Sequence, residues 1–252
     1  MTDYLESTGE LTVLRPGWPA PSSVKAAVST RIGGVSAPPY DSLNLGDHVG
    51  DDPRAVAENR RRLGRVLHLP GEPIWLRQVH GTRVVSAREG VDREADAIYA
   101  DTAESVCAVL TADCLPVLFC DGAGTRIAAA HAGWRGLQAG ILESTLDTFD
   151  TPFEEILVWL GPAIGPDAFE VGPEVREAFL VSDPGAGEAF RPSPSGRWWA
   201  DLYGLARRRL RRAGVGGIYG GGYCTYTDTE RFYSYRRDGV TGRMATLIWM
   251  EG

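Results

Sequence analysis

The chain has 252 residues, of which 43% are hydrophobic, and this length suits one large domain over residues 1–252 better than two full ones. Its 26 basic and 33 acidic residues give a net charge of −7, which argues against nucleic acid as a partner. The N-terminus lacks the basic start of a secretion signal, and no apolar run reaches the roughly 18 residues that a membrane span needs, so we expect a cytoplasmic protein without a membrane partner.

Three segments carry the apolar spacing of amphipathic helices. Residues 51–69 begin with acidic residues and place a proline in the first turn, which predicts a helix start. Apolar residues after Gly136 recur at steps of four, one, four and three, which predicts a second helix. A third helix is predicted from about Asp201 to Ala213, where the apolar residues share one face.

Short apolar runs rich in β-branched and aromatic residues predict strands between the helices. The predicted strands fall within residues 74–87, 105–121, 126–134, 155–161, 217–226 and 245–250. Several runs are apolar throughout, so we expect an α/β or α+β architecture whose sheets are covered on both faces. The stretch 181–198 is rich in proline and glycine, which predicts a surface loop.

Two histidines and one cysteine are the strongest candidates for a metal site. His80, in RQVHG, and His131, in AAAHAGWRG, each close a predicted strand next to a loop, where sites are usually built. Cys114, in TADCLPV, precedes Pro116, which interrupts regular strand pairing. A thiolate and two imidazoles suit zinc and leave a fourth position for water or substrate. The three residues lie 34 and 17 positions apart, so they come from separate strands, which favours a catalytic metal over a structural one.

The same residues also fit a site without a metal, in which Cys114 is a nucleophile and a histidine is its base. Asp113 is adjacent in sequence, but in a regular strand it faces the opposite side and is a poor direct partner for the thiol. The four cysteines are too few and too scattered for a disulfide framework, so we expect reduced thiols. The residues alone leave the metal and the nucleophile open as alternatives.

Two arginines lie in loops that suit an anion. Arg31, in STRIGGVS, stands beside two glycines whose backbone amides are open to a phosphate. Arg135, in GWRGL, stands at a predicted helix start, where amides and the helix dipole favour negative charge. His48, in LGDHVGDD, fits a plain loop residue better than a ligand.

Seven motifs, taken in order, are similar to those of one known family. The motifs are STRIGGVSAPPYDSLNLGDHVGDDP, RQVHG, ADAIYAD, TADCLPV, HAGWRG, GPAIG and FYSYRRDGVTGR. The chain resembles the YfiH-like family from about Val28 to Trp249; its members are also described as laccase-domain proteins, multicopper polyphenol oxidases and purine nucleoside phosphorylases. The resemblance implies the YfiH-like (CNF1-like) fold, a mixed α+β sandwich in one domain with mixed sheets covered by helices.

The resemblance also implies the chemistry of the site. It makes His80, Cys114 and His131 ligands of zinc, and it makes adenosine, inosine or guanosine substrates that phosphate cleaves to free base and ribose 1-phosphate. Adenosine deamination and methylthioadenosine phosphorolysis are implied at the same site. We expect Arg31 to hold the phosphate and Asn44, in the SLNLG loop, to contact the ribose or the base. Asp113 is the candidate proton carrier or a partner that supports a metal ligand, and the protein is expected to be a monomer or a homodimer.

Three other functions are alternatives to this one. A multicopper oxidase needs about ten imidazoles, whereas this chain has four histidines, so we expect at most one copper, bound as an alternative metal at the same site. A Cys-His amidase or hydrolase that edits peptidoglycan precursors is a second enzyme class, and a metal-dependent binding module is a third possibility. Among Arg236, Arg237 and Arg243, we expect at least two to brace the fold.

Overall fold

The computed structural model describes residues 2–9, 11–88 and 93–251. Residues 1, 10, 89–92 and 252, which the predicted domain of residues 1–252 includes, lie outside the described residues. Within the described part, two large sheets and one small sheet combine with helices in a mixed α+β architecture. The predicted fold class is therefore confirmed.

Most helices of the described residues lie in the second half of the chain. They are α1 (Pro53–Leu67), α2 (Trp134–Ala139), α3 (Ile141–Leu146), α4 (Pro173–Ser182), α5 (Leu202–Ala213) and α6 (Tyr235–Asp238), with 3-10 helices at Phe153–Glu155 and Pro184–Ala189. The side chain of Asp52 accepts a hydrogen bond from the amide of Arg54 at the start of α1, and Asp201 accepts one from Gly204 at the start of α5. These caps satisfy amides that a first helical turn leaves without partners.

The strands of the described residues form three sheets. They are β1 (Tyr4–Ser7), β2 (Thr12–Arg15), β3 (Val24–Ser29), β4 (Val84–Ser86), β5 (Ala97–Ala100), β6 (Val106–Thr111), β7 (Leu115–Asp121), β8 (Ile127–Ala132), β9 (Ile156–Leu160), β10 (Glu170–Val171), β11 (Phe190–Pro192), β12 (Trp198–Ala200), β13 (Gly217–Gly220) and β14 (Met244–Met250). The first sheet, in the order β1-β2-β3-β14-β6, is antiparallel. The second, in the order β13-β9-β7-β8-β5-β4, is parallel at its two edges and antiparallel between them. The short strands β10, β12 and β11 form the third.

The two large sheets pack against each other through apolar side chains. Val28, Val109 and Ile248 of the first sheet share one buried cluster with Leu118 and Ala129 of the second. Successive residues of a strand point to opposite faces, so every second side chain of these strands enters the space between the sheets. Burial of this apolar surface holds the sandwich together.

Helices cover the two outer faces. Ala27 of the first sheet shares a buried cluster with Leu63 of α1. Phe119 of the second sheet shares another with Leu142 of α3 and Leu205 of α5. Both large sheets are therefore covered on both faces, as their continuous apolar runs predict, and the helices predicted over 51–69 and 201–213 are confirmed as α1 and α5.

The second predicted helix and the predicted loop differ from the structure. The helix predicted after Gly136 starts earlier, at Trp134, and Gly140, with a φ of 107°, divides it into α2 and α3. Glycine adopts this left-handed conformation without the steric cost of a side chain, and the helical hydrogen bonding stops there. The stretch 181–198, predicted as a loop, contains a 3-10 helix and β11.

The described residues contain no helix that is long and apolar enough to cross a membrane. All four cysteines are free thiols in the structure. Cys107 and Cys120 are buried between the large sheets, whereas Cys114 and Cys224 are half-buried.

Candidate metal centre

His80, Cys114 and His131 meet at one point of the structure. One possible ligand atom from each side chain lies within 4.8 Å of the other two. The Sγ of Cys114 is 3.7 Å from Nε2 of His80, and the two imidazole rings have their centroids 4.7 Å apart. Among the described residues they form the one group of three or more histidine, cysteine or acidic side chains that is placed to hold a metal.

The three residues reach this point from different kinds of backbone. As predicted, His131 lies near the end of a strand, β8, and it pairs there with Pro116 of β7. Cys114 lies in a bend rather than within a strand, because β6 and β7 belong to different sheets and the chain turns between them. His80 follows an irregular segment and has a φ of 62°, so the prediction that it closes a regular strand is wrong. The bend at Cys114 and the left-handed backbone of His80 direct the side chains of these two residues toward the end of β8.

Asp96 holds two of the candidate ligands in place. Its Oδ1 lies 2.8 Å from Nδ1 of His131 and accepts a hydrogen bond from the backbone amide of His80. Its Oδ2 accepts from the amides of Val79 and Gly81. Because Asp96 occupies Nδ1 of His131, Nε2 is the ring nitrogen that remains for a metal, as in many carboxylate–histidine–metal arrangements.

The surroundings favour a thiolate at Cys114. Burial raises the pKa of this thiol, but the charge and hydrogen bond of His131, together with His80, outweigh burial and lower the pKa to about 6. Burial lowers the pKa of His131, whereas the Cys114 charge and the Asp96 carboxylate raise it to about 9. Burial opposes ionisation of Asp96, yet hydrogen bonds from His131 and Gly81 lower its pKa. The thiolate is the form of cysteine that binds metals and attacks electrophiles.

Gly133 leaves room for the group. A Cβ added there would lie 2.7 Å from Cδ2 of His80 and 3.0 Å from Sγ of Cys114. Both distances are too short for ordinary carbon contacts, so a larger residue would push the two side chains away. A sulfur and two imidazole nitrogens, with one ring held by a carboxylate, form a donor set that fits zinc or a single copper.

The group opens into a cavity of about 390 Å³. Its other lining residues are His48, Gln78, Leu110, Thr111, Ala112, Tyr235 and Arg243. A larger cavity of about 610 Å³ lies around Tyr203 and Cys224. It contains none of the three candidate ligands, so we place the chemistry in the smaller one.

None of the residues predicted to bind substrate is among those that line this cavity. Arg31 donates from Nε and Nη1 to the carbonyls of Asp41 and Thr229, and its Nη2 pairs with the Asp41 carboxylate. Arg135 is exposed and stacks on Trp134. The structure does not bring either arginine into the cavity, and their roles stay predictions.

Asn44 and Asp113 are bound by neighbouring parts of the chain. Asn44 is fully buried and donates from Nδ2 to the Gly46 carbonyl, while its Oδ1 accepts from the amide of Arg243. Asp113 lies beside Cys114 with a φ of 91°. Its carboxylate accepts hydrogen bonds from the hydroxyl of Thr225 and the amide of Arg236. The predicted roles of Asn44 and Asp113 in the reaction also stay predictions.

Sequence reasoning missed Asp96, interpreted His48 as a plain loop residue, and did not say which of Arg236, Arg237 and Arg243 lines the cavity. The signal for Asp96 is an acidic residue inside the apolar run ADAIYAD, directly before β5, where burial of a charge needs partners. His48 lines the cavity although its sequence context is that of a plain loop residue. Arg237 braces the fold as expected, because it donates to the carbonyls of Thr225, Tyr226 and Phe232.

Known proteins of the same kind cover nearly the whole chain. The family described as multi-copper polyphenol oxidoreductase laccase matches residues 25–251. A Pseudomonas aeruginosa protein named purine nucleoside phosphorylase is 58% identical over 239 residues, which are 94% of this chain and 98% of that protein. The Escherichia coli protein named purine nucleoside phosphorylase YfiH is 58% identical over 237 residues, which are 93% and 97%.

Solved structures agree with the sequence matches. The Neisseria meningitidis protein NMB0706 superposes with a TM-score of 0.92 at 54% identity, over 95% of this chain and 99% of that one. YlmD from Geobacillus stearothermophilus superposes with a TM-score of 0.89 at 33% identity, over 100% of both chains. This chain therefore belongs to the YfiH family, the multi-copper polyphenol oxidoreductase laccase family that its ordered motifs resemble.

Proposed function

We propose that this chain is a zinc-dependent purine nucleoside phosphorylase that cleaves adenosine, inosine or guanosine with phosphate. The names of the relatives support the reaction. The main structural support is that His80, Cys114 and His131 lie together at the wall of a cavity of about 390 Å³. That volume is typical of small-molecule sites, which span about 300–1,000 Å³.

In this reaction the bond between C1′ of the ribose and the base nitrogen breaks. A phosphate oxygen forms the new bond to C1′, and the departing base takes up a proton. A zinc ion held by His80, Cys114 and His131 would supply a Lewis acid with an open fourth position. Asp96 orients His131 and ties the His80 backbone, so the ligands are positioned before substrate arrives.

The cavity offers groups that suit a nucleoside. Tyr235 is 60% exposed and lines the cavity, so its ring is available to stack on a purine. His48 lines the cavity as well and is an alternative to Asp113 as the group that exchanges a proton with the base. The Asp113 carboxylate is already engaged by Thr225 and Arg236.

We propose adenosine deamination and methylthioadenosine phosphorolysis as further activities of the same site. Deamination exchanges the amine at C6 for a water oxygen and releases ammonia, which is a reaction that zinc sites support in other deaminases. A single copper is the alternative metal, because soft sulfur and imidazole ligands also bind copper. The cytoplasmic location and a monomeric or homodimeric state belong to the same proposal.

A Cys-His hydrolase acting on peptidoglycan precursors is the second candidate function. It is favoured by the 3.7 Å between the Cys114 sulfur and Nε2 of His80 and by the lowered pKa of the thiol. Such an enzyme uses the thiolate as a nucleophile and needs no metal. Thiol alkylation would inactivate it, whereas metal chelation would leave its activity intact.

One experiment separates these functions. The purified protein is analysed for bound metal and is then incubated with a panel of nucleosides, with and without phosphate. Ribose 1-phosphate that appears only with phosphate, from a protein that loses activity on chelation and regains it with zinc, supports the proposal. Activity on a peptidoglycan precursor that survives chelation, with no release of purine base, would replace the proposal with the hydrolase.

A further inference from the structure

Arg243 is the guanidinium that lines the cavity of the His-Cys-His group. The other lining side chains bear no permanent positive charge, since they are imidazoles, a thiol, a phenol, an amide, a hydroxyl and aliphatic groups. Arg243 is therefore the group in this cavity that attracts an anion, next to the candidate metal ligands.

The backbone around Arg243 is held firmly. Its amide donates to Oδ1 of Asn44 at 2.9 Å, and the residue directly precedes β14, which lies between β3 and β6 in the first sheet. Gly46 lies close against its side chain, because a Cβ added to Gly46 would be 2.9 Å from Cγ of Arg243. Asn44 and Gly46 thus position this arginine although neither of them lines the cavity.

The guanidinium lies over the Tyr235 ring, with Cζ 5.8 Å from the ring centroid, but the chain uses only part of its hydrogen-bonding capacity. Its Nη1 donates to the carbonyls of Thr241 and Gly242 at 2.9 and 3.0 Å. Nε and Nη2 have no hydrogen-bond partner among residues 2–9, 11–88 and 93–251, and no carboxylate of these residues lies within 4 Å. In Arg31, by contrast, all three guanidinium nitrogens have partners within the chain.

Arg243 is half-buried, and its donor nitrogens Nε and Nη2 remain available to bind an oxyanion. Burial lowers the pKa of Arg243, while the charges of Cys114 and Asp113 raise it, which reflects how close these groups lie. A guanidinium stays protonated in proteins, so it keeps its charge in this setting. Two parallel N–H groups match two oxygens of a phosphate.

We infer that Arg243 is the residue that binds the phosphate co-substrate, through Nε and Nη2, at the side of the cavity facing the His-Cys-His group. The inference rests on the proposed phosphorylase function and gives the phosphate to Arg243 in place of Arg31. Phosphate held there shares the cavity with the exposed ring of Tyr235, where a purine can stack. Asn44 then acts as a positioning residue, because its Oδ1 accepts a hydrogen bond from the backbone amide of Arg243.

The test measures phosphate binding directly and also measures turnover. The zinc-loaded wild type, Arg243→Ala, Arg243→Lys and Arg31→Ala are titrated with inorganic phosphate by isothermal titration calorimetry. We expect Arg243→Ala to weaken the phosphate Kd at least about ten-fold, Arg243→Lys to weaken it less, and Arg31→Ala to stay within about two-fold of wild type. Zinc content and circular dichroism of each variant verify that the fold and the metal site are intact.

Steady-state kinetics provide the second measurement. Arg243→Ala should raise the KM for phosphate much more than the KM for nucleoside. Wild-type phosphate affinity in Arg243→Ala, or an equal loss in Arg31→Ala, would overturn the inference, as would a wild-type protein that binds no phosphate. If the wild type binds phosphate through Arg243 and yet cleaves no nucleoside, the phosphorylase function fails while the phosphate site stands.

Discussion

The carboxylate of Asp96 lies 2.8 Å from Nδ1 of His131, and both groups are buried. The same carboxylate accepts the backbone amides of Val79, His80 and Gly81, so one acid organises the irregular segment that carries His80. The position of a ligand on a loop thus depends on a residue at the start of a strand. Four hydrogen bonds also compensate for burying its charge.

Asp96→Asn should weaken zinc binding by about 10–100-fold, because an amide supports the His131 ring less well than a carboxylate does. Competition with a zinc chelator of known affinity measures the change. Asp150→Asn is the matched control, since Asp150 is exposed and pairs only with Arg126 on the surface of the described structure. Equal zinc affinities in the two variants would show that Asp96 does not support the metal site.

Cys114→Ala should remove both the bound metal and the phosphorylase activity, since the sulfur is one of three protein ligands in the proposed site. Metal analysis and a phosphate-dependent assay give the two readings. Cys224→Ala serves as the control, because Cys224 is also half-buried but lines the other cavity. Full activity in metal-free Cys114→Ala would rule out the zinc mechanism and the thiol nucleophile alike.

Gly133→Ala should reduce metal content although the backbone of Gly133, with φ −61° and ψ 157°, suits alanine. The new methyl would crowd His80 and Cys114 at 2.7 and 3.0 Å. Gly64→Ala tests the same substitution where nothing lies within 4 Å, inside α1, and should stabilise the protein by up to about 1 kcal/mol. Metal analysis and thermal unfolding of both variants check these expectations. Wild-type metal content in Gly133→Ala would show that the crowding is relieved elsewhere.

Three of the four thiols should react with iodoacetamide in an order set by burial and pKa. Burial raises the pKa of Cys107 beyond its usual range and that of Cys120 to about 12, so both stay protonated and unreactive in the folded protein from pH 7 to 9. Cys114, with its pKa lowered to about 6, should react at pH 7 after chelation, and more slowly as the pH falls below 6. Peptide mass spectrometry reads each site, and zinc should protect Cys114. Rapid native modification of Cys120 would contradict its burial.

Arg237→Ala should lower the free energy of unfolding by about 1–3 kcal/mol, because it leaves the carbonyls of Thr225, Tyr226 and Phe232 without their donor. Metal content should remain at the wild-type level, since Arg237 does not line the cavity. Arg54→Ala, at an exposed position of α1, should change stability by less than about 0.5 kcal/mol. Urea denaturation compares the two variants. A loss of metal without a loss of stability in Arg237→Ala would place it in the site instead.

The three candidate ligands are identifiable from sequence because their chemistry is scarce in this chain. Only four histidines exist, and two of them border strand-like segments together with one cysteine. The backbone that joins them is not identifiable in this way, since His80 and Asp113 have φ values of 62° and 91° that no regular strand contains. Tertiary hydrogen bonds such as those of Asp96 select these conformations, and no local pattern encodes them.

Long-range pairing explains what sequence reasoning could not assign. Arg236, Arg237 and Arg243 look alike in a basic segment, and only the insertion of β14 between β3 and β6 brings Arg243 to the cavity. The break at Gly140 is hidden because apolar residues continue across it, from Leu137 to Ile141. β1 is hidden for the opposite reason, since its side chains are mostly exposed and lack an apolar pattern.

The position of β14 between β3 and β6 has a consequence for biosynthesis. Every other described strand leaves the ribosome before β14, yet β3 and β6 pair with it rather than with each other. Until β14 emerges, the nascent chain therefore carries two apolar strand edges whose partner does not yet exist, a state prone to aggregation. The segments bearing His80, Cys114 and His131 are complete by then, so a chain stalled before Arg243 would carry all three candidate ligands and an incomplete sheet.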